Sequence, residues 1–142
     1  WPGLGRAAGG GDWIAGWAFY LADGHLCWAL AGKGGPWVTR APLPAGARVL
    51  TAGCAVGDGT LTVSLGADGA TLVTETIKAT IPLAWAPDGA FLTIGYGRPF
   101  PVTDAYEPPA TAPSSLVEVR FTTGKPPPVD MDVELQRLLR HQ

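Results

Sequence analysis

The chain has 142 residues and a mass of 14.7 kDa, room for one domain with a sizeable core and too little for two. Its 20 glycines and 14 prolines approach the composition of disordered chains, yet 46% hydrophobic residues, six tryptophans and a net charge of −2 supply enough apolar surface to fold. The few scattered Lys and Arg residues leave no basic footprint for nucleic acid, no apolar run is long enough for a membrane helix, and no cationic opening followed by an apolar core marks a signal peptide.

Charged residues make up 15% of the chain, against roughly 25% in an ordinary soluble domain. A surface so thinly charged predicts that part of it is covered. The chain opens on Trp1 rather than Met, which is expected of a processed or excised piece.

Residues 1–11, with the glycines of RAAGGGDW, read as a flexible N-terminal segment, because they lack the strand before and helix after that make a phosphate loop. Short β-prone runs follow at 12–21, 25–31, 37–41, 47–56, 60–65, 71–78, 91–96 and 116–122. Asp-Gly pairs at 23–24, 58–59, 68–69 and 88–89 punctuate them, and that dipeptide supplies the positive φ of a tight hairpin. Leu61, Val63 and Leu65 alternate with Thr60, Thr62 and Ser64, and Val117, Val119 and Phe121 with Glu118, Arg120 and Thr122, the period of a half-buried strand. The Pro-rich stretches 42–44 and 108–113 read as corner loops. The expectation is an all-β domain over 12–122, an antiparallel β-sandwich or jelly roll of concanavalin-like kind.

Residues 123–142 are different. Pro126, Pro127 and Pro128 form a stiff spacer, Asp130 is placed to cap a helix, and Met131, Leu135, Leu138 and Leu139 fall on one helical face. Acidic residues at its start and Arg137 and Arg140 near its end suit the helix dipole. So short a helix is marginal alone, which predicts an oligomer contact through 131–142.

Few residues invite chemistry. Cys27 and Cys54 each sit in an apolar run and read as buried, reduced thiols rather than a disulfide framework. His25 and His141 are too far apart for zinc-ligand spacing, and the absence of Asn rules out Asn-linked glycosylation. Trp13, Trp17, Trp28, Trp37 and Trp85 are either core or a platform for stacking on sugar rings. Asp104, Tyr106 and Glu107 lie in the Pro-framed loop PVTDAYEPP. Two carboxylates fall short of the six to eight oxygens of a calcium site, so a turn is the default. Ser64, Ser114 and Ser115 lie in no G-x-S-x-G elbow. No metal or other cofactor is expected.

The strings GWAFYLADGHLCW (16–28), PLPAG (42–46), GDGTLTVSLGADG (57–69), IKATIPL (77–83) and LTIGYGRPFPVTDAYEPP (92–109), in that order and spacing, resemble the C-terminal β-rich region of bacterial arylsulfatases. The tail LQRLLRHQ resembles that family's C-terminal helix. The resemblance implies an accessory module whose partner is an upstream catalytic domain or another subunit, with a cytoplasmic setting slightly favoured. Sulfatase chemistry in that family uses a Cys/Ser-x-Pro-x-Arg motif, which neither Cys27 (CWALA) nor Cys54 (CAVGD) supplies. No catalytic residue is therefore carried over, and the chain alone is not expected to be an enzyme. Ala110, Ala112 and Ser114 stand where the family tends to show aromatics and a Gly. The family region also starts earlier, so an open sheet edge is expected here. The reading from a different class is a free-standing glycan-binding β-sandwich.

Overall fold

The computed structural model describes residues 5–10, 16–31, 35–57, 59–78, 92–95, 102–106, 111, 115–122 and 124. It is all-β among those residues, with strands β1 (Gly5–Gly10), β2 (Trp17–Ala22), β3 (His25–Leu30), β4 (Trp37–Pro42), β5 (Leu50–Gly57), β6 (Thr60–Ala67), β7 (Ala70–Ile77) and β8 (Leu92–Ile94). They form a five-stranded sheet in the order β4-β3-β2-β1-β8 and a three-stranded sheet in the order β5-β6-β7. Every strand pairing is antiparallel. Within each sheet the runs β2-β3-β4 and β5-β6-β7 are meanders, and the connection from β4 to β5 carries the chain from one sheet to the other.

The turns follow from the Asp-Gly pairs. Asp23 and Gly24 have φ of 47° and 73°, and Asp68 and Gly69 have φ of 48° and 85°. Two consecutive positive φ values are what a type I′ hairpin turn requires, and its twist matches that of the strands it joins. The switch between sheets bends at Gly46, φ 77°, where the Ala47 N–H donates to the Pro44 carbonyl at 3.3 Å. Past this corner the Asp68 carboxylate accepts from the Arg48 N–H at 3.1 Å and the Val49 N–H at 2.9 Å, and the Asp68 N–H donates to the Val49 carbonyl at 2.8 Å. One turn residue thus holds the entry to β5 against the β6–β7 hairpin.

The core lies between the sheets. Leu21, Leu26, Trp28 and Leu30 of the larger sheet and Leu61, Val63 and Leu65 of the smaller one form a single buried cluster, flanked by Trp17, Phe19, Trp37, Leu43, Leu50, Leu72, Val73 and Ile77. Across the larger sheet these side chains fall into rows, Trp17–Leu30–Trp37, Phe19–Trp28–Thr39 and Leu21–Leu26–Ala41. Full burial of one such Leu or Val contributes about 1.5–3 kcal/mol. Thr39, 3% exposed, donates its hydroxyl across the gap to Glu75 Oε2 at 2.6 Å, tying β4 to β7.

Two expectations are corrected. The glycine-rich stretch expected to be a flexible connection contains β1, which pairs with both β2 and β8. A glycine strand gives no side-chain pattern and takes its conformation from the ladders on either side. Residues 116–122 form no strand. Their alternation finds no ladder partner, Val117 is 96% exposed, and the Phe121 ring stands edge-on to Trp17 with centroids 6.5 Å apart. The expected helix over 131–142 lies outside the described residues.

Leu65→Ala, at a position 1% exposed, is expected to lower stability by about 2–5 kcal/mol. Val56→Ala, at a position 70% exposed, should change it by less than about 0.5 kcal/mol. Denaturant midpoints at constant slope check both. The backbone hydrogen bonds to Asp68 hold its carboxyl below the ordinary carboxylate range. Its ionised form therefore stabilises the fold above the unfolded-state pKa, and that contribution disappears as pH falls through the lower folded-state value. Asp68→Asn, which keeps a residue tolerant of positive φ, should flatten the acid limb of a plot of stability against pH. An unchanged acid limb would count against this account of the turn.

Candidate functional site

Alternation along β2 and β3 decides where the aromatic residues go. Odd positions of β2 and even positions of β3 face the smaller sheet, so Trp28 is fully enclosed at 5% exposure and Trp17 is half-buried against the same cluster. Trp37, half-buried, closes the row at β4. The structure thus brings Trp17, Trp28 and Trp37 together as part of the inter-sheet core. Trp13, Trp85 and Glu107 lie outside the described residues.

The opposite face of the same hairpin is also covered. Ala18, Tyr20, Ala22, Cys27, Ala29 and Ala31 form a second buried cluster with Val102 and Tyr106. Asp104 is exposed on the 102–106 loop, whereas Tyr106 is 3% exposed, with its ring centroid 5.4 Å from that of Tyr20. Tyr106 is therefore an anchor for the loop. Its hydroxyl accepts from the Val102 N–H at 3.4 Å, and Thr103 Oγ1 accepts from the Ala105 N–H at 3.3 Å, which shapes the loop.

This second cluster holds the richest group of titratable side chains among the described residues. Tyr20 and Cys27 are directly paired across β2 and β3, and the Cys27 thiol and the Thr103 hydroxyl both act on the ionisation of the phenol. Burial pushes the Tyr20 phenol up to about 12, helped by the charge Cys27 would carry. Burial likewise raises the Cys27 pKa and outweighs the opposing pull of Arg40. A thiol with a raised pKa is protonated at neutral pH and is a poor nucleophile. The Cys27 thiol also lies 3.8 Å from the His25 carbonyl. The His25 ring is turned away to the Asp23 carbonyl, to which Nδ1–H donates at 2.8 Å. Among the described residues no group of His, Cys, Asp and Glu is arranged to hold a metal ion.

Cys54 departs from expectation, for it is exposed. Register explains why. Cys54 is paired with Val63, Ala52 with Leu65 and Val56 with Leu61, so all three point to the inner side of the smaller sheet, yet they are exposed while their partners are buried. The larger sheet covers β6 and leaves this flank of β5 open. The neighbouring side chains still desolvate the Cys54 thiol enough to raise its pKa. The opposite side of the smaller sheet is small and hydroxylic, with Thr51, Gly53 and Ala55 beside Thr62, Ser64 and Gly66. A Cβ on Gly53 would meet Ser64 Oγ at 2.7 Å.

Sequence reasoning missed the open β5 flank and the Tyr20–Cys27–Thr103 group. The run Ala52-Gly53-Cys54-Ala55-Val56-Gly57, uncharged throughout, is the signal that marks the first. The second depends on a loop far along the chain and has no local signal. Compared with protein-family models, curated proteins and solved structures, the chain matches none.

In dilute native protein a maleimide is expected to modify Cys54 and spare Cys27, with Cys27 reacting only as the chain unfolds. Peptide mapping before and after denaturant distinguishes the two. Prompt native modification of Cys27 would refute the burial of the second cluster.

Proposed function

We propose that the chain is a non-catalytic packing module that covers and shapes the surface of a larger protein assembly. The observation that carries this reading is the inner flank of β5, where Ala52, Cys54 and Val56 continue the apolar face of a core strand into solvent. Val56 is 70% exposed although its neighbour across the ladder, Leu61, is 1% exposed. An apolar stripe of this kind beside a closed core marks a contact surface, and the low charge of the whole chain agrees with it.

The arylsulfatase resemblance supports the same role, an accessory β-rich region walling a cleft or an oligomer interface beside an upstream catalytic domain. It rests on the sequence strings alone. In this proposal the chain completes a jelly-roll-type sandwich and ends in a docked amphipathic helix over 131–142. No cofactor is called for, and the protonated Cys27 fits a chain that leaves chemistry to its partner. A glycan-binding role needs an exposed aromatic platform, and the described tryptophans are engaged in the core.

The dilute chain is expected to enhance the fluorescence of an apolar dye such as anilinonaphthalene sulfonate, and Val56→Lys to reduce that enhancement without loss of β circular dichroism. A folded, dye-silent chain would overturn the packing-module reading.

A further inference from the structure

The outer strands of the two sheets differ in how their edges are guarded. A strand with one partner turns half of its N–H and C=O groups outward, and proteins blunt such edges with charges, proline, bulges, inward-pointing carboxylates or short length. Strand β4 carries exposed Arg40 and ends on Pro42. Strand β8 has three residues. Strand β7 has a register shift opposite Leu65 and Gly66, and its Glu75, paired with Val63, lies on the inner side.

Strand β5 has none of these devices. Its eight residues, LTAGCAVG, contain no charge and no proline, and its pairing with β6 is unbroken from Leu50 to Gly57. Among the described strands only β6 pairs with it. Gly53 and Gly57 carry no side chain to obstruct an approaching strand.

We propose that β5 is a homodimer edge, on which a second copy of this chain pairs its own β5 antiparallel about a two-fold axis to make one continuous six-stranded sheet. This rests on the packing-module reading and names the partner. Two features favour a second copy. An uncharged strand brings no like charges together when it meets itself, whereas Arg40 or Glu75 at the other edges would. A two-fold axis normal to the sheet keeps inner side with inner side, so each copy lays its Ala52, Cys54 and Val56 stripe beside the other's and both are covered in one event. Such a pairing is also centred on residue 53 or 54, because only then do the inner positions of the two strands face each other along most of their length. Cys54 then falls at the middle of the interface, opposite Cys54 or Ala52 of the second copy.

Sedimentation velocity over a range of protein concentrations, run beside maleimide labelling of Cys54, tests this on the full chain. The expected result is a monomer–dimer equilibrium in which Cys54 labelling slows several-fold as the dimer fills. Val56→Lys, at an exposed position that leaves the monomer fold intact by circular dichroism, should restore both the monomer and the fast labelling. Cys27, buried in either state, serves as the internal standard. A chain that stays monomeric at every concentration, or a dimer in which Cys54 labels as fast as in the monomer, overturns the proposal. If that monomer binds the apolar dye, the packing-module reading stands and only the second copy is excluded. If it is dye-silent, both fall.

Discussion

The structure depends on the β2–β3 hairpin being covered on both faces. A strand buried on one side alternates apolar and polar residues; one buried on both reads as an apolar run. Leu26 through Ala31 are buried without interruption, and the two faces are filled differently. The inner side carries Leu21, Leu26, Trp28 and Leu30, because stacked sheets stand about 10 Å apart and large side chains are needed to fill that space. The other side carries Ala18, Ala22, Ala29 and Ala31, whose small size lets Val102 and Tyr106 of the 102–106 loop pack close against the sheet. Tyr20 and Tyr106 are the large residues there, and their tilted rings pin the loop to the hairpin.

Covering one hairpin twice has a consequence for the smaller sheet. The larger sheet contributes its inner face to β6, whose Leu61, Val63 and Leu65 are almost fully buried, and to β7 through the Thr39–Glu75 hydrogen bond. The cover is displaced toward β7, so β5 on the far side of β6 keeps its inner residues in solvent. The exposed flank and the tight core are thus two results of one offset between sheets. The sparse charge of the chain has the same double origin, for it reflects both a hairpin buried twice and an uncharged strand left open.

Much of this arrangement is legible in the sequence where the chemistry is local. Asp23-Gly24 and Asp68-Gly69 mark their hairpins because few other dipeptides accept two positive φ values in succession. The alternation over 60–65 identifies the face of β6 that is buried. The strand at 5–10 is illegible for the opposite reason, since Gly and Ala carry no periodicity and the strand exists through its pairing with β2 and β8. At 116–122 the alternation is present, and no described strand pairs with it. The tryptophans were ambiguous because a core ring and a binding platform occupy the same alternating positions. Only the location of the second sheet decides between them, and it encloses Trp28. Glu75 could have been placed from sequence alone, for it shares its period with Val73 and Ile77 and must therefore face inward.

That inward carboxylate shows how the edges of this molecule are to be understood. Glu75 accepts on one of its oxygens from the buried Thr39 hydroxyl, at the margin of an apolar core, a partner that leucine would not supply. Its position on an outer strand supplies another reason, because any strand that added itself to β7 would take the second carboxylate oxygen out of water without a partner. Arg40 and Pro42 protect β4 by other chemistry to the same end. Against guards at β4 and β7, an eight-residue outer strand made of Leu, Thr, Ala, Gly, Cys and Val is a departure from the molecule's own practice. Thermodynamics penalises such an edge only while it is exposed; once another strand is paired along it, the absence of charge and bulk becomes the condition for close contact.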